Sequence, residues 1–341
     1  NMNAALSNYV KKNYEAGKAD LFAVFMQVAE ERLAKNGKYG MINMQSWMFL
    51  SSFEKLRTHL LETLQIDSML HLGPRTFDEL SGEVVQNTAF VVTKHTPYTT
   101  GTYFRLVDGK NCGDKERMFL TRENGYPHVS QQNFEKIPGC PIGYWVSEKM
   151  IKAFDNGALG TRVKSGKGLD SGNNDKFLRY WQEVSYNLVG LGYNNYLEAQ
   201  QSKKKWFPFN KGGTFRRWYG NNEYLINWEN NGEEIKNYEG SNIRNQTFYF
   251  KDGITFPRIG SNKFSARYSC QGAIFDGNGP MCFTDDKLMF ILAYMNTSIM
   301  MAYIYLLCPT ISFQIGDVFK VPFKEPIDEE NKEISILVSQ N

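Results

Sequence analysis

The chain has 341 residues, 42% hydrophobic, 14% aromatic and 22% charged, with a formal net charge of +3. That length admits about two domains, and the near-balanced charge excludes a globally basic nucleic-acid binder, so any electrostatic footprint must be local. Five cysteines, Cys112, Cys140, Cys270, Cys282 and Cys308, lie far apart with no CxxC pair; this argues against zinc and against a disulfide framework and suits a reducing cytoplasm.

The opening NMNAALSNYVKKNYEAG lacks the apolar core of a signal peptide. Asp20 then precedes Leu21, Phe22, Val24, Phe25, Val28, Ala29 and Leu33, which keep a helical period, and Asp20 suits the N-cap or first turn. Asn36-Gly37 is a helix stop, and 39–44 (YGMINM) is a strand. Ser51-x-x-Glu54 reads as a capping box for a helix whose face is Phe53, Leu56, Leu60, Leu61 and Leu64. Ile66–Leu72 and Val84–Lys94 read as strands. The order is helix, strand, helix, strand, loop, strand, the alternation of an open α/β sheet. The last loop has no room for a crossover helix, so its strands should pair antiparallel. A first strand with a GxGxxG-like turn is missing, so only part of a sheet is expected. The 39–44 strand should keep an open edge, covered by residues 1–18 or by a second copy in a dimer.

Thr99–Val107 is a further strand-like run, and 111–140 reads as a linker. Ser147 caps a helix to Phe154, and 159–181 is rich in Gly, Lys and Asn. Irregular β-like sequence continues to about 280. Leu288–Cys308 is long enough to span a membrane, but Asn296, Thr297 and Ser298 interrupt it, which predicts two short buried helices and no membrane partner. FKVPF (319–323) is a candidate last strand, and the charged tail from Lys324 is expected to fray.

The chemistry concentrates in 203–222, KKKWFPFNKGGTFRRWYGNN. Lys203, Lys204, Lys205, Lys211, Arg216 and Arg217 alternate with aromatics, and no acidic residue intervenes. Cations neutralise phosphates and aromatic faces stack on bases, which points to a polyanion. A basic surface loop whose aromatics plug into the core would read the same way. Trp218 could pack, stack or wedge. Elsewhere, His59, His71, His95 and His128 share no metal-ligand spacing, and no nucleophile elbow or nuclease cluster is present. Asp285-Asp286 suits a helix N-terminus, and Asp170 with Asp175 lacks the spacing of a calcium loop.

NMNAALSNYV (1–10), FDELSGEVVQNTAFV (77–91), GTYFRLVD (101–108), SGKGLDSGNNDKFLR (165–179) and WFPFNKGGTFRRWYGNNEYLINWENNG (206–232) resemble the large adenine-specific DNA methyltransferases of bacteriophage-exclusion systems, the PglX type, over residues 1 to about 324. The resemblance implies the C-terminal half of a class I S-adenosylmethionine-dependent sheet, ending in an antiparallel hairpin, in residues 1–110. It further implies a linker at 111–140, an α+β target-recognition domain at 141–324, and a tail at 325–341.

By the same resemblance, the complete enzyme methylates adenine N6 in a flipped-out base of double-stranded DNA, marking host DNA, with other defence-system subunits as further partners. Phe77 matches the aromatic residue set against the flipped base; it could equally cap the hairpin edge. Asp20 and Phe22 match the border of the cofactor pocket, where Asp20 could equally be a plain cap. Lys164, Lys167, Lys211, Arg216 and Arg217 match the recognition half. Arg216 or Arg217 suits base readout, and Lys203 to Lys205 suit phosphates. The family's glycine-rich cofactor turn and its Asn-Pro-Pro-Tyr motif have no counterpart in these residues. The chain alone is therefore expected to bind no cofactor and to transfer no methyl group. A DNA-binding specificity module without catalysis, and part of a restriction–modification enzyme with an upstream nuclease, are the competing readings.

Overall fold

Asn3 caps α1 (Ala4–Asn13) through its side-chain oxygen, and the Asp20 carboxylate accepts the Phe22 N–H at 3.4 Å to cap α2 (Leu21–Glu31). In this computed structural model, residues 2–79, 85–94, 100–260, 263–309 and 312–340 are described. Val84, His95 and Thr99 lie outside them. The chain divides into two units, Asn1–Phe154 and Asp155–Asn341.

In unit 1, β1 (Lys38–Met44) leads through 3-10 turns at Gln45–Met48 and Ser51–Phe53 into α3 (Glu54–Thr63). The expected Ser51 capping box does not form. Ser51 is wound into the 3-10 turn, and α3 begins without a side-chain cap. β2 (Gln65–Gly73), β3 (Asn87–Thr93) and β4 (Thr100–Arg105) follow. The sheet order is β1-β3-β2-β4, with a fifth strand, β5 (Gly125–Ser130), beyond β4. β3 is antiparallel to both β1 and β2, the pairing with β2 being the one expected, and β4 is parallel to β2. β1, β2 and β4 therefore run in one direction and end on one side. Among the described residues no strand pairs with the outer edge of β1, where Ile42 is 60% exposed.

Residues 111–140 are not a linker. α4 (Cys112–Leu120), β5 (Gly125–Ser130) and α5 (Gln132–Glu135) belong to unit 1, and β5 pairs antiparallel with β4. Buried Gln131 fixes this return: its Nε2 donates to Leu61 O and Leu64 O at 2.9 and 2.7 Å, and its Oε1 accepts Ile66 N–H at 2.9 Å. Phe134 and Ile137 are buried beside it. The unit closes with α6 (Glu148–Lys152), capped by Ser147. Its core joins Trp47, Met48, Leu60 and Leu61 to Ile66, Phe90 and Tyr103.

Among its described residues unit 2 holds two four-stranded sheets. Its elements are β6 (Lys164–Gly166), α7 (Asn174–Phe177), β7 (Leu178–Tyr180), α8 (Tyr196–Gln201), β8 (Trp206–Asn210), β9 (Tyr224–Asn227), α9 (Glu229–Lys236), β10 (Gly253–Thr255), β11 (Arg267–Ser269), β12 (Ile274–Phe275), β13 (Met281–Phe283), α10 (Leu288–Met295), α11 (Ser298–Leu307), α12 (Ile315–Val318) and α13 (Asp328–Ser339). One sheet runs β11-β10-β13-β6 and the other β12-β8-β9-β7. Phe207, Phe209, Ile226, Phe250 and Phe275 are shared in one aromatic core.

The apolar run breaks where its polar centre predicted. Asn296 is buried between α10 and α11 and bonds Ala266 N–H, Ala266 O and Leu292 O. No single helix among the described residues is long and apolar enough to cross a membrane; the bent pair, at 67°, passes by length and composition only. FKVPF forms no strand, only a bridge from Pro322 to Ala158. The tail does not fray. Half-buried Asn331, Ile334, Ser335 and Val338 lie at helical spacing, and α13 packs against α10.

Candidate functional site

In unit 1 the ends of the three co-directional strands carry a polar network. In open α/β sheets this is the side where ligands bind. Gln45, following β1, donates from Nε2 to Gln86 Oε1 at 2.6 Å and accepts from His71 Nε2 at 2.9 Å. His71, on β2, accepts at Nδ1 from the Tyr144 hydroxyl at 3.0 Å, the tautomer that satisfies all three groups. Burial, then the Arg105 and Lys115 charges, push His71 down to about 3, so it stays neutral. The Trp145 ring stacks on it at 6.0 Å. A neutral, doubly bonded imidazole braces; it does not take up protons near neutral pH.

This brace sits at the root of the loop that carries Phe77. Gly73 ends β2 at φ +68°, and a Cβ there would meet Val107 Cγ1 at 2.8 Å, so the turn requires glycine. Thr76 Oγ1 donates to Gly73 O at 3.0 Å. Phe77 follows, 41% exposed, between β2 and β3. Its ring is available to a planar ligand.

Asp20 and Phe22 are occupied locally. Asp20 caps α2, and the Phe22 ring packs on Phe53 at 5.3 Å. Among the described residues, β1 runs into a 3-10 turn and β2 into the Pro74 loop, so neither passes through a glycine-rich turn onto a helix. No group of three His, Cys, Asp or Glu side chains suited to a metal is found among the described residues.

In unit 2 the basic stretch divides. Trp206, Phe207 and Phe209 belong to β8 and are buried, so these aromatics do plug into the core. Lys203–Lys205 sit before β8, and Lys211 sits after its five residues, roughly 20 Å from Lys205. Lys204 Nζ donates to Asn187 O, and Lys205 pairs with Glu229 at 3.1 Å. At the far end, Lys211, Arg216, Arg217 and Trp218 share one loop. Arg216 and Arg217 are exposed, and the Lys211 ammonium lies over the Tyr224 ring at 4.9 Å. Trp218 is half-buried, and its backbone bridges Ala266 and Tyr268 beside β11. Lys164 lies on β6, at the opposite edge of that sheet, three strand spacings or roughly 14 Å from β11. Lys167 sits between β6 and Leu169, its carbonyl bonded by Asn245 Nδ2.

Two side chains that sequence reasoning passed over hold the loop. Asn221 Nδ2 donates to Gly212 O and Thr214 O at 3.1 and 2.9 Å. Arg267, 1% exposed, donates from Nη2 to Gly212 O at 2.9 Å, while its Nε and Nη1 make no hydrogen bond among the described residues. Burial pulls Arg267 down to about 10. Only the strand pairing brings Arg267 under the loop; its sequence neighbourhood carried no signal.

Residues 1–77 match the Eco57I restriction-modification methylase family model. Adenine-specific methyltransferase BrxX of Escherichia coli O9:H4 (strain HS) is 44% identical over 329 residues, 94% of this chain and 26% of its own length. Adenine-specific methyltransferase PglX of Lacticaseibacillus casei (strain Zhang) is 41% identical over 342 residues, 94% of this chain and 28% of its own length. The chain is thus similar, over 94% of its length, to adenine-specific methyltransferases of the BrxX and PglX type. It spans about a quarter of the PglX and BrxX chains it matches. The type IIL restriction-modification enzyme MmeI, solved in complex with DNA, shares the fold with a TM-score of 0.61 at 11% identity, over 99% of this chain and 47% of its own. The mixed α/β architecture is thus one that this chain shares with MmeI.

Proposed function

We propose that the chain is the part of an adenine-specific DNA methyltransferase that closes the catalytic sheet and recognises DNA. The complete enzyme transfers a methyl group from S-adenosylmethionine to adenine N6 in duplex DNA, on a base flipped out of the helix, and so marks host DNA in phage defence. One observation carries this reading: the exposed Phe77 ring stands on a braced loop at the ends of co-directional strands, with β3 reversed between β1 and β2. An extruded adenine needs such a face, since base–aromatic stacking is worth about 1–3 kcal/mol per base. Unit 2 contributes the loop of half-buried Lys211 and exposed Arg216 and Arg217, whose cations suit phosphates and base edges.

The cofactor is held by residues beyond this chain, because Asp20 and Phe22 are taken up by capping and packing. The chain alone then transfers no methyl group. In the complete enzyme, Phe77→Ala should lower labelled methyl transfer to duplex DNA at least tenfold, and Phe77→Tyr should restore it. Unchanged transfer in Phe77→Ala would refute the stacking role. The separate core of unit 2 favours a second reading, a specificity module that binds DNA without catalysis. A complete enzyme that binds duplex DNA but never methylates it would establish that reading instead.

A further inference from the structure

A cavity of about 750 Å³ opens in unit 2 beside the loop that carries Arg216 and Arg217. Its size is that of a small-molecule site. Trp181, Tyr186 and Tyr219 stand around it, 62, 77 and 57% exposed, over buried Phe209 and Leu225. The polar groups on the wall are neutral, chiefly the exposed amides of Gln182, Asn222 and Gln271; among the described residues no Asp, Glu, Lys or Arg lines the cavity.

This composition selects its ligand. Neutral walls cannot compensate a buried charge, so the occupant is uncharged. Ring faces suit a flat heterocycle, and side-chain amides pair with the donor and acceptor edge of a nucleobase. The cations stand just outside. Lys211 follows Asn210 of the wall, and Arg216 and Arg217 precede Tyr219 on the same loop. Behind the loop, buried Arg267 has two donors unpaired among the described residues, on the strand whose Ser269 lines the cavity. A nucleotide is divided in the same way, neutral base inward and anionic phosphate outward.

We propose that this cavity receives one unstacked nucleobase from a DNA strand whose phosphates lie on Lys211, Arg216 and Arg217. The proposal rests on the DNA-binding reading above and adds a second base site, in the recognition unit. The base could come from single-stranded DNA or from a duplex nucleotide left without a partner. Labelled 16-mers distinguish these sources: a single strand, a duplex with one nucleotide facing an abasic site, and a fully paired duplex, each titrated with the intact chain at low salt by anisotropy.

Trp181→Ala with Tyr186→Ala should weaken binding of the single strand, the abasic-facing duplex or both at least tenfold, leave the paired duplex unchanged, and preserve the melting temperature. Tyr186→Phe should bind like the parent. Unchanged affinity for both unpaired probes in the double variant would overturn the proposal, as would an equal loss on the paired duplex. Displacement of the probes by a leucine-rich amphipathic peptide that binds only when Trp181 and Tyr186 are intact would also overturn it, assigning the cavity to a protein partner. The DNA-binding reading fails separately, when Arg216→Ala with Arg217→Ala leaves paired-duplex affinity intact.

Discussion

Lowering the pH should loosen unit 1 through one residue, His71. Its folded-state pKa is pushed down to about 3, whereas an unfolded histidine titrates near 6.5. Below 6.5 the unfolded chain takes up a proton that the folded chain refuses, so stability is full above that value and falls with pH until about 3. Between pH 7 and pH 5 the loss integrates to about 2 kcal/mol. The network of Gln45, Gln86 and Tyr144 should open with it, because each bonds His71 or its partner. Amide exchange in β2 reads this directly and avoids treating the two units as one transition. Protection there should fall about thirtyfold from pH 7 to pH 5 after correction for intrinsic exchange. His71→Gln, with an amide in place of the titrating ring, should abolish most of that drop. An equal pH-dependent loss in the variant would refute the assignment to His71.

Gly73→Ala should destabilise unit 1 by about 2 kcal/mol or more, since the residue holds φ +68° and a Cβ meets Val107 at 2.8 Å; chemical denaturation measures it. Asn221→Ala removes two hydrogen bonds from the 211–221 loop and should cost about 1–2 kcal/mol locally, seen as faster amide exchange in that loop. The unpaired edge of β1 should drive concentration-dependent dimerisation of the chain, and Ile42→Lys should shift it to monomer in sedimentation velocity.

Much of unit 1 was legible because its signals are local. Asp20 caps the helix it precedes, and the short β2–β3 loop forced an antiparallel pair. Residues 111–140 misled because what fixes them is long-range: Gln131 reads as a polar loop residue, yet its amide closes three backbone bonds to residues 61–66. The basic stretch looked continuous because a strand buried on both faces, such as Trp206–Asn210, shows no alternation. The cavity was invisible for the same reason. Trp181, Tyr219 and Gln271 meet only through tertiary pairing. Arg267 gave no hint of lying under the loop, and the tail looked disordered until α10 offered its face.

The central claim is that this chain carries DNA recognition, and the salt dependence of paired-duplex binding tests it most directly. Parent and Arg216→Ala/Arg217→Ala chains should both bind at low salt. In a plot of log affinity against log salt, the variant's slope should be shallower by about 1.8, since each lost phosphate contact removes about 0.9. Identical slopes, or no duplex binding by the parent at low salt, would contradict the account.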